Sequence, residues 1–275
     1  PGESQRPDYR CFEFSSPVEI FTMPTNRFDL TGRRALITGS SQGIGYTLAQ
    51  GLAEAGATLV LNGRNAEKLA RAADSLTQNG YTVDQSVFDV ADYDAVQSAV
   101  NQIEQEIGPI DILINNAGIQ RRSSLEQFPL SDWQELMKTN LDGVFYVSQA
   151  VARHMIERKR GKIISIGSVQ SILARPTIAP YTASKGAVVN LTKGMCTDWA
   201  KYNIQVNALS PGYFETELTR ALVDDETFTH WLKNRTPAQR WGKVEELIGG
   251  AVFLASDASS FVNGHTLYID GGITS

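Results

Sequence analysis

The chain has 275 residues, 42% of them hydrophobic, and a formal net charge of −5. This length can bury the core of one large α/β domain. The negative charge argues against nucleic acid or a membrane surface as the main partner, since both attract concentrated positive charge, and it favours a small molecule. The two cysteines show no CxxC spacing, which is typical of a reducing, cytoplasmic compartment.

Residues 1–27 contain four prolines and show neither a clear hydrophobic period nor the apolar segment of a signal peptide. We expect them to be a loose extension, in part trimmed or foreign to the natural chain. Residues 28–275 are expected to form a single dinucleotide-binding and catalytic domain. No apolar run in the chain reaches the roughly 18 residues that a membrane span requires.

From residue 34 onward, short apolar runs alternate with longer segments of helical period. The predicted strands are RALITG (34–39), TLVLNG (58–63), TVDQSVFDV (82–90), IDILINNAG (110–118), KIISIGS (162–168), IQVNALS (204–210) and TLYID (266–270). The predicted helices cover residues 43–55, 66–78, 93–107, 131–158, 183–201 and 244–256. This alternation predicts a doubly wound, Rossmann-type sheet of about seven parallel strands with helices on both faces.

The first predicted strand is followed by TGSSQGIG, residues 38–45, which opens the first helix. Its glycines, Gly39, Gly43 and Gly45, let the backbone approach a pyrophosphate, which the positive end of the helix stabilises. Ser41 and Ile44 lie in the same turn and are predicted cofactor contacts. The spacing is GxxxGxG rather than the usual GxGxxG, so an ordinary glycine-rich turn stays open as the alternative.

The end of the second strand indicates which dinucleotide is bound. Selectivity for NAD uses an acidic side chain roughly 20 residues past the glycines, on the adenosine ribose. LVLNGRN instead offers Arg64, which can pair with a 2′-phosphate and so predicts NADP(H). Arg64 could also be a solvated residue at a helix start. Asp89, at the end of the third strand, is predicted to contact the adenine amino group or to cap the next helix.

The fourth strand ends in NNAG, where Asn116 and Gly118 combine an amide with a small residue. The carboxyl ends of parallel strands form the usual ligand crevice, so both residues are predicted to lie against the cofactor. A loop cap would have the same composition.

The stretch YTASK places Tyr181 and Lys185 four residues apart, on one face of a helix. An ammonium near a phenol lowers the phenol's pKa, so Lys185 is expected to activate Tyr181 for proton exchange. Ser168, which closes the fifth strand, can hydrogen-bond the oxygen of a substrate while hydride passes to or from nicotinamide. A tyrosine and a lysine four residues apart also occur by chance on helix surfaces.

The order of these motifs over residues 29–272 resembles the short-chain dehydrogenase/reductase superfamily. The matching pieces are TGSSQGIG, NNAG, the asparagine of KTNLDGVF, Ser168, YTASK and SPGYFET. The resemblance implies that Tyr181 is the general acid/base and that Ser168 positions the substrate oxygen. It also implies that Lys185 holds the nicotinamide ribose and that Asn140 supports a water-linked proton path.

The same resemblance implies contacts to the nicotinamide carboxamide after the sixth strand. The residues concerned are Pro211, Gly212, Phe214 and Thr216, and the segment 217–235 would be a mobile lid over the substrate. The apolar faces of the predicted helices 131–158 and 183–201 exceed what one sheet covers. In this superfamily such faces imply helix pairing between subunits, so a homotetramer is expected.

Within the superfamily the chain is most similar to the gluconate 5-dehydrogenases, through stretches such as NNAGIQRR, SQAVARHMIERKRGKII, SPGYFETE and RTPAQRWG. This resemblance implies hydride transfer between NADP(H) and C5 of D-gluconate or 5-keto-D-gluconate. A sugar acid needs cations for its carboxylate and polar groups for its hydroxyls. The predicted substrate contacts are Gln120, Arg121, Arg122, Ser168 and Arg175. Each arginine could instead solvate a loop or bridge subunits.

The chain departs from these relatives at two positions. Ile172 stands where a glutamate is usual, which bears on the identity of the substrate. Gln42 stands where a basic residue is common, which leaves Arg64 and Ser40 to contact the 2′-phosphate. Binding of NAD(H) beside NADP(H) is therefore expected.

Two other functions fit parts of the sequence. One is reduction of a different carbonyl, such as a 3-oxoacyl thioester or a ketose. The other is a dinucleotide sensor without catalysis, although the presence of Asn140, Ser168, Tyr181 and Lys185 speaks against it. A metal site is not expected, because the three histidines are scattered without ligand spacing.

Overall fold

The computed structural model of the protein describes residues 26–275. The expected loose extension therefore lies outside the described residues, apart from Asn26 and Arg27. Both of these are attached to the domain. The Asn26 side chain accepts a hydrogen bond from the Phe28 amide at 3.0 Å, and the Arg27 carbonyl accepts one from the Ala258 amide at 3.2 Å.

The described residues contain seven strands, as the apolar runs predict. In chain order they are β1 (Arg34–Ile37), β2 (Thr58–Gly63), β3 (Val83–Val87), β4 (Ile112–Asn115), β5 (Gly161–Ile166), β6 (Ile204–Pro211) and β7 (Thr266–Ile269). They form one sheet in the order β3-β2-β1-β4-β5-β6-β7, and every pairing is parallel. Strand order reverses between β1 and β4, which places a ligand crevice at their carboxyl ends.

Helices connect successive strands and cover both faces of the sheet. They are α1 (Gly43–Glu54), α2 (Ala66–Gln78), α3 (Tyr93–Gln102), α4 (Leu130–Met137), α5 (Gly143–Arg158), α6 (Ala179–Trp199), α7 (Arg220–Val223), α8 (Glu226–Arg235) and α9 (Ile248–Ala255). One core packs α1, α2 and α9 against the sheet, and a second packs α3, α5 and α6 against the opposite face. The predicted doubly wound fold is confirmed.

Several helical segments differ from the sequence prediction. The helix predicted over 93–107 ends in a π-helical turn, Ile103–Ile107, and the one predicted over 244–256 begins with a 3₁₀ turn, Val244–Leu247. The helix predicted over 131–158 contains a π-helical turn, Lys138–Asp142, between α4 and α5. Such single turns are frequent at functional sites, and this one contains Asn140. Helix α6 begins at Ala179 rather than at residue 183, since Pro180 in the first turn needs no hydrogen-bond acceptor for its nitrogen. Tyr181 therefore lies in the first turn of α6.

No helix in the part of the chain that the structure describes is both long and apolar enough to cross a membrane. The lid segment predicted over 217–235 consists of a 3₁₀ turn, Glu217–Thr219, followed by α7 and α8. The side chain of Asp225 caps α8 by accepting from the Phe228 amide at 3.0 Å. The lid is thus built from short helices after β6.

Candidate active site

A cavity of about 490 Å³ lies where β1, β2, β4, β5 and β6 end. Most of the site residues predicted from the sequence line it: Gly39, Ser41, Gly43, Ile44, Gly45, Arg64, Asp89, Asn116, Gly118, Gln120, Arg122, Ser168, Arg175, Tyr181, Lys185, Pro211, Gly212, Phe214 and Thr216. The predicted residues outside this lining are Ser40, Arg121 and Asn140. The carboxyl edge of the sheet therefore brings together motifs that are distant in sequence.

The glycine turn before α1 is held against the end of β4. The Asn116 side-chain amide donates to the carbonyls of Thr38 and Gly39, at 3.0 and 2.9 Å. A Cβ at Gly45 would lie 2.4 Å from Asn116 Nδ2, so a side chain there would displace this contact. Gly45 is thus required for packing between the turn and β4.

Gly43 has a different environment. Its φ is +58°, a left-handed conformation that favours glycine, and a Cβ there would meet no atom within 4 Å. Gln42, at the N-cap of α1, makes no side-chain hydrogen bond to the helix, which leaves the first amides of α1 available to an anion. The turn therefore fits a pyrophosphate.

Arg64 and Asp89 face each other at the ends of β2 and β3. Arg64 Nη1 lies 3.4 Å from Asp89 Oδ2, and both side chains are exposed on the cavity wall. The alternative in which Asp89 caps the next helix is wrong, because Asp92 caps α3 by accepting from the Ala95 amide at 3.1 Å. Asp89 Oδ1 accepts from the Ala91 amide at 2.9 Å, so Oδ2, beside Arg64 on the cavity wall, is the oxygen that remains to contact a ligand.

Ser40 and Ser41 point in opposite directions. Ser40 is buried, and its hydroxyl donates to the Ile37 carbonyl at 2.8 Å, so the expectation that it contacts a 2′-phosphate is wrong. Ser41 lines the cavity beside Arg64. Asn65 and Lys68, which sequence reasoning missed, line the same part of the cavity. Their position in the first turn of α2, directly after Arg64, was the signal.

Asn140 lies beneath the cavity wall, in the π-helical turn. Its Oδ1 accepts from the Ile119 amide at 2.8 Å, and its Nδ2 donates to the Ile119 carbonyl at 2.9 Å. Nδ2 also lies 3.2 Å from the Ser184 hydroxyl on α6. Asn140 thus connects the loop after β4 to the helix that carries Tyr181.

The structure brings Ser168, Tyr181 and Lys185 together at the end of β5. Ser168 Oγ accepts from the Gln170 amide at 3.1 Å. Lys185 is only 6% exposed, and its Nζ donates to the Ile166 carbonyl at 2.7 Å. The same Nζ lies 5.7 Å from the centroid of the Tyr181 ring. The predicted neighbourhood of a phenol, an ammonium and a hydroxyl is therefore present.

The protonation of these groups differs from the sequence-based expectation. Burial raises the pKa of Tyr181, while a hydrogen bond from Ser168 and the charge of Arg175 oppose that rise. Burial lowers the pKa of Lys185 to about 8. Among the described residues, the groups that lower the pKa of Tyr181 are thus Ser168 and Arg175, whereas Lys185 was expected to do so. The difference arises because Lys185, with a pKa of about 8, loses its charge before a tyrosine of raised pKa ionises.

The two arginines after NNAG, Arg121 and Arg122, lie in different environments. Arg121 Nη2 pairs with Glu135 on α4 at 2.8 Å, so the structure places Arg121 away from the cavity. Arg122 lines the cavity, and desolvation together with the charge of Arg175 lowers its pKa. The buried Nε of Arg175 has no hydrogen-bond partner among the described residues. Arg122 and Arg175 therefore form a cationic region in the cavity.

The segment after β6 combines contact and packing roles. The Phe214 ring packs on Gly242, where a Cβ would lie 2.6 Å from Phe214 Cε1, so this side chain is part of the core. The Thr216 hydroxyl accepts from the Thr219 amide at 3.2 Å and caps the first turn of the lid. Gln170, missed by sequence reasoning, and Tyr213, which lies inside the predicted contact range 211–216 but was not singled out, also line the cavity. Their only signal was proximity to Ser168 and to the Pro211–Gly212 pair.

A glycine cradle at a helix N-terminus, with a serine and a tyrosine beside the same crevice, is the arrangement of an oxidoreductase that uses a nicotinamide dinucleotide. A model of the short chain dehydrogenase family matches residues 33–227. The chain belongs to this family.

Relatives with assigned activities share most of the sequence. The chain is 64% identical over 247 residues to gluconate 5-dehydrogenase of Gluconobacter oxydans (strain 621H), which covers 90% of this chain and 96% of that protein. It is 55% identical over 246 residues to 5-keto-D-gluconate 5-reductase of Escherichia coli (strain K12), covering 90% and 97%. A crystal structure of a gluconate 5-dehydrogenase from Burkholderia cenocepacia J2315 in complex with NADP and tartrate is 64% identical, with a TM-score of 0.89 over 90% of this chain and 97% of that one.

Proposed function

We propose that the protein is an NADP(H)-dependent oxidoreductase that interconverts 5-keto-D-gluconate and D-gluconate. The observation that carries the proposal is that Ser168 and Tyr181 lie in the same cavity as the cationic pair Arg122 and Arg175. An acid/base beside cations suits a ketone whose molecule also bears a carboxylate. The similarity to the two relatives with this activity supports the same substrate.

NADP(H) supplies or accepts the hydride when it is bound. For reduction, the Tyr181 phenol donates a proton to the carbonyl oxygen, and the Ser168 hydroxyl holds that oxygen in place. Burial keeps the phenol protonated near neutral pH, which is the form that reduction requires. For oxidation, Tyr181 must first lose its proton. Lys185 is proposed to hold the nicotinamide ribose, and Asn140 to position α6 against the loop after β4.

Cofactor binding is assigned to the groups on the glycine-turn side of the cavity. Arg64 and Ser41 are proposed to bind the 2′-phosphate, and Asp89 the adenine amino group. NAD(H) remains an acceptable ligand because Asp89 supplies a counter-charge for Arg64 beside a dinucleotide that has no 2′-phosphate. The full proposed set is Gly39, Ser41, Gly43, Ile44, Gly45, Arg64, Asp89, Asn116, Gly118, Tyr181, Lys185, Pro211, Gly212, Phe214 and Thr216.

The proposal is tested by following NADPH absorbance with purified protein and 5-keto-D-gluconate, with D-fructose and an acetoacetyl thioester as rival substrates. Each substrate is also assayed with NADH. We expect the highest kcat/KM with 5-keto-D-gluconate and NADPH. Turnover of only the ketose or the thioester would reassign the substrate. Binding of NADPH without any turnover would support a sensor.

We also propose a cytoplasmic homotetramer. Leu130, Trp133 and Phe145 expose apolar side chains on α4 and α5, which a neighbouring subunit would cover. Light scattering coupled to size exclusion would report the mass of the assembly. A monomer at micromolar concentration would contradict the proposal.

A further inference from the structure

Gln170 carries a buried hydrogen-bond acceptor that no described residue satisfies. It is 6% exposed and lies in the 3₁₀ turn Val169–Ser171, where Ser168 Oγ fixes its backbone amide. Its Nε2 donates to Tyr213 Oη at 3.2 Å, while its Oε1 is buried without a partner. Because Gln170 lines the cavity, that oxygen is positioned to accept a hydrogen bond from a ligand.

Tyr213 carries the complementary group. Its oxygen accepts from Gln170 Nε2 at 3.2 Å. Burial raises the pKa of Tyr213, while the nearby charge of Arg175 lowers it, and the net rise means that the phenol keeps its proton. Because Gln170 Nε2 can only donate to this oxygen, the Tyr213 O–H is left to donate to another group. The cavity, which Tyr213 lines, is where that acceptor would lie.

The position of the phenol is fixed from behind. Its ring packs edge-on against Trp231 and Trp241, with centroids 6.2 and 5.9 Å away, and is tilted against Phe228 at 5.7 Å. Arg175 Cζ lies 5.6 Å from the centroid of Phe228. These aromatic contacts hold Tyr213 and Arg175 in one arrangement, so the position of the phenol oxygen is set before a ligand binds.

The Tyr213 O–H donor and the Gln170 Oε1 acceptor lie side by side, next to the guanidiniums of Arg122 and Arg175. This arrangement is complementary to one kind of ligand, a 2-hydroxy acid. A 2-hydroxy acid carries a carboxylate, which accepts, and a hydroxyl on the adjacent carbon, which donates. A 3-oxoacyl thioester has no hydroxyl for the Gln170 oxygen, and a neutral ketose has no anion for Arg122 and Arg175.

We propose that Tyr213 and Gln170 form the subsite for the carboxylate end of the sugar acid, with Tyr213 donating to the carboxylate and Gln170 Oε1 accepting from the neighbouring hydroxyl. The inference rests on the proposed function and adds two residues that position the substrate and select hydroxy acids. Neither residue takes part in the proton transfer. The subsite lies across the lid side of the cavity, where Phe228 belongs to α8.

The test compares Tyr213→Phe and Gln170→Met with the parent enzyme. Both changes keep side-chain bulk and remove only hydrogen-bonding groups. The matched control is Tyr268→Phe, which deletes a phenol oxygen that lies 3.1 Å from Ser171 Oγ outside the cavity lining. Calorimetry measures the Kd of D-gluconate for the enzyme already loaded with NADPH, which cannot turn over.

Loss of a hydrogen bond to a charged group predicts a Kd about tenfold or more weaker for Tyr213→Phe, and a similar loss for Gln170→Met. The KM for 5-keto-D-gluconate should rise in parallel, while kcat and the KM for NADPH stay near the parent values. Tyr268→Phe should bind D-gluconate like the parent.

Three outcomes would overturn the subsite. If the parent reduces 5-keto-D-gluconate but both variants bind D-gluconate normally, the subsite is wrong and the proposed function stands. If the variants lose affinity for NADPH as much as for D-gluconate, the residues are structural. If the parent loaded with NADPH neither binds D-gluconate nor reduces the ketone, both proposals fall.

Discussion

The two ends of β5 each hold a buried lysine, and their environments differ. Lys162, near the first residue of the strand, is 3% exposed, and Lys185 reaches the carbonyl of Ile166, the last residue. Burial lowers the pKa of both lysines to about 8. The same perturbation therefore occurs at opposite edges of the sheet.

The partners of the two lysines separate their roles. Lys162 Nζ donates to Ser259 Oγ at 3.3 Å. The negative charge of Asp257 raises the pKa of Lys162, and the positive charge of Arg33 lowers it. Lys185 lines the cavity with one carbonyl partner, so its other N–H groups can reach a ligand. A depressed pKa thus marks a functional lysine only where the group also opens onto a cavity.

The largest expected effect is at the carboxyl edge, for Tyr181→Phe. Removing the acid/base should lower kcat by at least roughly a hundredfold while NADPH affinity is retained. The matched control is Tyr202→Phe, because Lys201 Nζ lies 5.2 Å from the Tyr202 ring, a similar pairing remote from the cavity. Steady-state assays measure kcat, and titration with NADPH measures the affinity for the cofactor. Full turnover by Tyr181→Phe would break the assignment of proton transfer.

The two lysines can be compared directly by Lys185→Met and Lys162→Met. Lys185→Met should lower kcat/KM by between about tenfold and a hundredfold, because a cation beside the phenol and the proposed ribose contact are both removed. Lys162→Met should leave kcat/KM within about twofold. Equal losses of kcat/KM in the two variants would mean that Lys185 contributes no more to the reaction than Lys162 does.

A smaller effect is expected for Arg64, at the carboxyl edge. Arg64→Ala should raise the KM for NADPH about tenfold and that for NADH much less, since a charge-assisted contact to the 2′-phosphate is lost. Arg33, which pairs with Asp257 at 2.7 Å, provides the control Arg33→Ala. That control should leave both KM values unchanged. Equal weakening of NADPH and NADH in Arg64→Ala would show that Arg64 is structural.

The sheet and the glycine-turn side of the cavity were predictable because their signals are local. The central apolar runs, β1, β2, β4, β5 and β6, are strands that are largely buried on both faces, and the residues of a turn stay together whatever the rest of the chain does. Gly39, Gly43 and Gly45 therefore lie where the motif placed them. The π-helical turn around Asn140 was not predictable, because one inserted residue leaves the helical period almost unchanged.

The substrate side of the cavity was not predictable, because it depends on the direction in which each side chain points, and no local sequence pattern indicates that direction. Arg121 and Arg122 are adjacent, yet one pairs with Glu135 and the other lines the cavity. Gln170 and Tyr213 meet only because β5 and β6 are neighbours in the sheet. The pKa of Tyr181 likewise depends on burial and on Arg175, contacts that only the folded chain supplies.

The smallest predicted effect concerns stability at the amino edge. Burial lowers the pKa of Lys162 from its usual 10.5 to about 8 in the folded chain. Between these values the unfolded chain binds the proton and the folded chain does not, so the free energy of unfolding rises with pH. One such proton contributes at most about 1.4 kcal/mol per pH unit.

Lys162→Met removes this contribution, because methionine fills the buried position without a charge. The variant should be more stable than the parent at pH 7, and the difference should shrink as pH rises from 8 towards 10. Urea unfolding at a series of pH values measures the difference, in which the contributions of other titrating groups cancel. A difference that stays constant across this window would show that Lys162 keeps its proton in the fold. In that case burial would not lower the pKa of Lys162 as it lowers that of Lys185, and the two ends of β5 would differ.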